Sequence, residues 1–175
     1  MARAAAACRP DLVLDELTEI KVLKGIALPG FIAGEASLFE VICESVEEGD
    51  GSEVLLVRLS GAGRPHYSCR AVMRTERSET LAKVEPADSG PMAAVPYGKS
   101  TLFHGPSFHV LSGIGDINSE GATAQAKGVL DKDWPSEPWI SDPALADGGL
   151  QLALLWTEHM VGRRSLPTSI GRVVI

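Results

Sequence analysis

The sequence predicts an α+β fold of antiparallel strands with helices, and three observations carry that reading. Glu47-Glu48-Gly49-Asp50-Gly51 and Gly61-Ala62-Gly63 separate apolar runs with residues that form hairpin turns. Asp142-Pro143 sets an N-cap residue before a proline at the first helical position, and Leu150, Leu154 and Val161 follow at helical spacing. Strand patterns then occur on both sides of a stretch rich in Pro and Gly at 77–96, so the chain holds two structured segments.

Taken in order, Met1 to Cys8 is alanine-rich and favours a helix, which Pro10 stops; the Met-Ala-Arg opening reads like the middle of a helix. Leu12 to Leu28 mixes alternation with apolar pairs up to Pro29-Gly30, the pattern of a long, bent strand. Ser37–Val46, Glu53–Ser60 and His66–Thr75 are three further strands. Residues 77–96 carry Lys83, Pro86, Ser89-Gly90-Pro91 and Pro96 and read as a linker. Strands resume at Phe108–Ile117 and Ala122–Leu130, before a polar loop with Trp134 and Trp139. The helix that starts at Asp142 ends at Gly162 with Arg163-Arg164, and Ser169–Ile175 is a last strand.

Composition narrows the function. The 175 residues include 16 basic and 23 acidic ones, a net charge of -7, which weighs against a nucleic-acid partner. No stretch reaches the roughly 18 apolar residues of a membrane span, and no secretion signal is read, so no membrane partner is expected. Three cysteines lie far apart without a C-x-x-C pair, which points to a reducing cytoplasm. His66 and Cys69 lack the second pair that a metal site needs. Gly61-Ala62-Gly63 and Gly113-Ile114-Gly115 lack the third glycine and the helix of a dinucleotide motif, and neither a phosphate-binding lysine loop nor a G-x-S-x-G elbow occurs. No metal and no cofactor are predicted.

Leu102-Phe103-His104-Gly105-Pro106-Ser107-Phe108 resembles the phenylalanine and glycine-proline box of the dehydratase domains of polyketide and polyunsaturated-fatty-acid synthases. Asp142-Pro143-Ala144-Leu145-Ala146-Asp147-Gly148-Gly149-Leu150-Gln151 is similar to that family's active-site stretch, and Leu166 to Gly171 looks like its following strand. Ala2 to Leu12 followed by Leu17 to Leu28 resembles the end of the first hotdog's central helix and the strand after it. The resemblance implies a hotdog or double-hotdog fold, antiparallel sheets wrapped around central helices, here truncated at both ends. Residues 1–76 would be the back part of the N-terminal hotdog, 77–96 the linker and 97–175 the front part of the C-terminal hotdog.

It also implies an activity: removal of water from 3-hydroxyacyl thioesters on acyl carrier protein, with other synthase domains as partners and a homodimer as an option. Elimination needs a base for the α proton, an acid for the leaving hydroxyl and donors for the carbonyl. The family's base is a histidine in an H-x-x-x-G-x-x-x-x-P box expected before the Ala2–Cys8 helix, so the chain alone is expected to dehydrate little or nothing. Its acid is matched by Asp147. At a helix start the macrodipole favours a carboxylate by roughly 0.3 to 2 kcal/mol, whereas burial in an acyl tunnel favours the neutral acid more strongly. Gln151, four residues on, shares the helix face of Asp147 and can bond its carboxyl group or the substrate hydroxyl. Gly105, Pro106 and Gly148 are expected beside the substrate, with Gly148 and Gly149 leaving it room.

Plainer roles compete. Asp147 could be a dipole partner and Gln151 an exposed helix residue; Tyr97 either lines the tunnel or packs beneath the linker. Trp134 and Trp139 either cover the tunnel mouth or pack their own loop. His104 and His109 flank the Gly105-Pro106 turn and are expected to be structural, and His159 lies roughly 12 Å along the helix from Gln151. None of the histidines is expected to replace the base. A dehydratase-like domain that organises a synthase or binds carrier protein without doing chemistry is the alternative function; a hotdog thioesterase has no supporting motif.

Overall fold

The computed structural model describes residues 1–49, 51–78, 90–98, 101–134 and 138–175. The chain forms two compact units, Met1–Ala82 with Thr168–Ile175, and Lys83–Pro167. Residues 79–89, most of the expected linker, lie outside the described residues.

The first unit is one antiparallel sheet. Helix α1 (Ala2–Cys8) precedes β1 (Val13–Val22), β2 (Phe39–Gly49), β3 (Ser52–Gly61) and β4 (Arg64–Arg74), and the order across the sheet is β2-β3-β4-β1-β7, with β7 (Ser169–Val174) on the far edge. Alternation sorts the faces: Glu53, Leu55 and Val57 on β3 and Cys69, Ala71 and Met73 on β4 are buried. Helix α1 packs against β1 to β4 with Ala5 fully buried. The buried carboxylate of Glu53 ion-pairs with Arg9, just past the helix, which also grips Asp11. Ala62 and Gly63 both have positive φ, 50° and 69°, as a two-residue turn of the kind that matches strand twist requires.

Strand β1 is shorter than expected, and its register on β4 shifts between Leu14 and Glu16 and again between Thr18 and Lys21, where Glu19 has φ 48°. The strand stops at Val22 because the next two amides, of Leu23 and Lys24, both turn to the carbonyl of His66. Residues 31–33 form a short 3-10 turn after Pro29-Gly30.

The second unit packs helix α2 (Pro143–Val161) on a two-stranded hairpin, β5 (Leu111–Asn118) and β6 (Gly121–Ala126). Leu102, Leu111, Ile114, Leu154 and Leu155 form its core, with Val95, Tyr97, Ile117 and Ala124 around them. Two strand expectations need trimming. Phe108 belongs to a 3-10 turn (Pro106–Phe108) before β5, and the run to Leu130 ends at Ala126 because Val129–Asp131 is another such turn. The last strand, grouped in sequence with 97–175, hydrogen-bonds instead to β1, so those residues do not form a single unit. Among the described residues, no helix is long and apolar enough to cross a membrane.

Candidate active site

Asp142 starts the helix that carries the site. Its Oδ1 accepts the amides of Ala144 and Leu145 at 2.9 and 3.0 Å, and its Oδ2 accepts the amide of Val129 at 2.9 Å. At the other end Gly162 adopts φ 67° and its amide bonds Glu158 O. Asp147 is therefore held in the second helical turn and Gln151 one turn later.

The two side chains meet. Gln151 Nε2 donates to Asp147 Oδ2 at 2.7 Å and to the carbonyl of Phe108 at 2.8 Å. Gln151 is fully buried, which removes the exposed-helix reading, while Asp147 is half-buried. Tyr97 donates its hydroxyl proton to Gln151 Oε1 at 2.7 Å and accepts the amide of Leu111 at 2.8 Å. Burial pushes the Tyr97 phenol above its ordinary value, and the Asp147 charge nearby adds to the rise.

Gly105 and Pro106 act through the backbone. Gly105 precedes the 3-10 turn with Pro106 at its first position, and the amide of Phe108 closes it on Gly105 O. That turn brings the Phe108 carbonyl to Gln151. Gly148 does not leave open room: a Cβ there would lie 3.3 Å from Ala126 Cβ and 3.5 Å from both Leu111 Cδ2 and Val110 Cγ2, so the missing side chain lets helix and hairpin approach. At Gly149 nothing lies within 4 Å of a Cβ, and the position is exposed.

His104 and His109 sit close by without joining the pair. His109 stacks on Tyr97 with ring centroids 3.8 Å apart and planes 10° off parallel, and its Nε2 bonds His104 O. Trp134 donates to Ser107 O at 3.0 Å and meets Phe108 edge-on, which favours loop packing. The carbonyl of Phe108 and the amide of Leu111 escaped the sequence reading because backbone groups leave no side-chain signal. Among the described residues, no group of three or more His, Cys, Asp or Glu is suited to a metal.

Known proteins share this sequence pattern. Over 180 aligned residues the chain is 26% identical to one of the subunits of a polyunsaturated fatty acid synthase from Thraustochytrium sp. (strain ATCC 26185 / S-3), covering 94% of this chain and 6% of that protein. The chain thus spans a small part of that relative's length. No solved structure matches. Residues 73–175, more than half of the chain, match the family described as PS-DH, polyketide synthase dehydratase N-terminal domain. That description names the N-terminal domain, whereas the sequence boxes suggest the C-terminal hotdog for residues 97–175. The α+β architecture of antiparallel sheets and helices agrees with the hotdog class of that family. By that match the chain belongs to the polyketide synthase dehydratase (PS-DH) family.

Proposed function

We propose that this chain supplies the acid to a dehydratase that removes water from 3-hydroxyacyl thioesters on acyl carrier protein. The 2.7 Å bond from the buried Gln151 to Asp147, on one helix face, is the observation that supports it. In this reading a base takes the α proton, the C–O bond to the β hydroxyl breaks, and Asp147 protonates the departing oxygen to release water and an enoyl thioester. The base is a histidine of the family's box, carried by residues other than these. Carrier protein and neighbouring synthase domains are the partners, and the setting is the cytoplasm.

Residues 1–76 then serve as the back of an N-terminal hotdog, 77–96 as the linker and 97–175 as the front of a C-terminal one. The boxes at 102–108 and 142–151 support that assignment; the match to a family of N-terminal dehydratase domains and the pairing of β7 with β1 weigh against it.

The test is Asp147→Asn in the synthase polypeptide that carries these residues together with the histidine box, supplied with 3-hydroxyacyl carrier protein. Loss of enoyl product by roughly 100-fold or more is expected, the scale of general-acid catalysis. Unchanged turnover would overturn the assignment.

A non-catalytic organising role is favoured by a separate observation. Strand β2 is a sheet edge 11 residues long with Val41, Ile42 and Val46 exposed, a template for another chain. Pairing of two copies through it would show as dimerisation in light scattering, lost when Ile42 is replaced by lysine.

A further inference from the structure

We propose that Tyr97 is a positioning residue that fixes the Gln151 amide in one orientation and thereby confines the acid proton of Asp147 to Oδ1. This deepens the reading of Asp147 as the acid and rests on it.

The direction of each hydrogen bond follows from the backbone outward. A backbone amide can only donate, so the 2.8 Å bond from Leu111 N makes the Tyr97 oxygen an acceptor. The hydroxyl proton is then free for its other neighbour, 2.7 Å away, which must accept and is therefore Gln151 Oε1. Nε2 is left facing two acceptors, Phe108 O at 2.8 Å and Asp147 Oδ2 at 2.7 Å. A carbonyl can only accept, so Phe108 holds the Nε2 end of the amide while Tyr97 holds the Oε1 end, and the two act together. A reversed amide would set Oε1 against Phe108 O and leave the Tyr97 proton facing a donor. With Oδ2 accepting, a proton on a neutral Asp147 belongs on Oδ1.

Tyr97 is itself held. Its ring lies on His109, whose Nε2 bonds His104 O at 3.0 Å and whose carbonyl accepts Lys132 Nζ at 3.1 Å. Its hydroxyl is taken up by two protein groups, Leu111 N and Gln151 Oε1, which is the geometry of a support rather than of a substrate contact. Gln151, having both ends of its amide engaged and no exposed surface, passes that order to Asp147.

The experiment compares Tyr97→Phe with Asp147→Asn in the synthase polypeptide, using 3-hydroxyacyl carrier protein as substrate. Tyr97→Phe keeps the ring stack and is expected to lower kcat on the order of tenfold while KM stays within about twofold, the signature of an interaction that matters in the transition state. A raised KM with unchanged kcat would make Tyr97 a substrate contact and overturn the proposal. Full kcat in Tyr97→Phe beside a collapsed Asp147→Asn would overturn it while leaving the acid in place; full activity in Asp147→Asn would instead remove the reading on which it rests. Should Tyr97→Phe not fold, 3,5-difluorotyrosine at 97 keeps the shape and lowers the phenol pKa. Loss of that proton removes the donor to Gln151, so the alkaline limb of kcat should move to lower pH. An unmoved limb would overturn the proposal.

Discussion

Arg74 Nε donates to Asp15 Oδ2 at 2.8 Å across neighbouring strands, and the Asp15 side chain is 1% exposed. Ser78 completes the cradle, its amide and hydroxyl both reaching the same carboxylate. Burial pushes the Asp15 carboxyl up, but the Ser78 and Arg74 bonds outweigh it and leave it below the usual value. A depressed carboxyl stabilises the fold above its unfolded value of about 3.9 and loses that contribution as pH falls through the folded value. Asp15→Asn should therefore destabilise the first unit near neutral pH by roughly 2 to 4 kcal/mol, the cost of breaking a buried charged network. Urea melts of both proteins from pH 7 to 2 check this: the gap should narrow in acid. A constant gap would count against the network.

Gly148 and Gly149 should respond in opposite directions to alanine. At 148 the new methyl meets Ala126 and the Val110 and Leu111 side chains, an overpacking expected to cost about 1 to 3 kcal/mol. At 149 the methyl meets nothing and helix propensity improves, a gain of roughly 0.5 to 1 kcal/mol. Thermal melts of the two variants decide it.

Burial lifts the Cys43 thiol to about 11, with the hydrogen bond its S–H donates to Cys8 adding to the rise, and burial lifts Cys69 to about 11 as well. The thiolate is the nucleophile, so both should resist alkylation at neutral pH and label faster as pH approaches that value. Cys8, exposed at the end of α1, should be labelled first. Iodoacetamide mapping by mass spectrometry over a pH series tests the order.

Asp142→Ala removes the helix cap and strands the amide of Val129 as well as those of Ala144 and Leu145. A loss of about 2 kcal/mol is expected, the upper end for a cap. A small effect on melting would mean that water replaces the carboxylate at these amides.

The elements set by local chemistry were legible in the sequence. Asp142-Pro143 and Gly162 bracket α2 because a cap, a fixed φ and a left-handed residue act within a few positions, and Ala62-Gly63 makes its turn for the same reason. What depended on distant partners was read less well. Strand β1 stops at Val22 because His66 O, 43 and 42 residues further along the chain, captures the next two amides. The spacing of Asp147 and Gln151 foretold their meeting, since residues four apart share a helix face. The engagement of Tyr97 with Gln151, 54 residues away, could not be read from spacing. Gly148 looked like room for a ligand because sequence alone does not show which atoms face a missing side chain.

The pairing of β7 with β1 bears on how the protein is made. Glu16 faces Val174 and the amide of Ile175 reaches Asp15 O, so β1 waits for a partner that is translated more than 140 residues after it, on the order of ten seconds or more at ordinary synthesis rates. The strands β2-β3-β4-β1 all lie within the first 74 residues and can assemble early, while the whole second unit is synthesised before β7 arrives. During that interval the backbone groups of β1 stand open to any strand nearby. Emergence of residues 169–175 from the ribosome is thus the event that seals this edge, and the growing chain is open to mispairing until then.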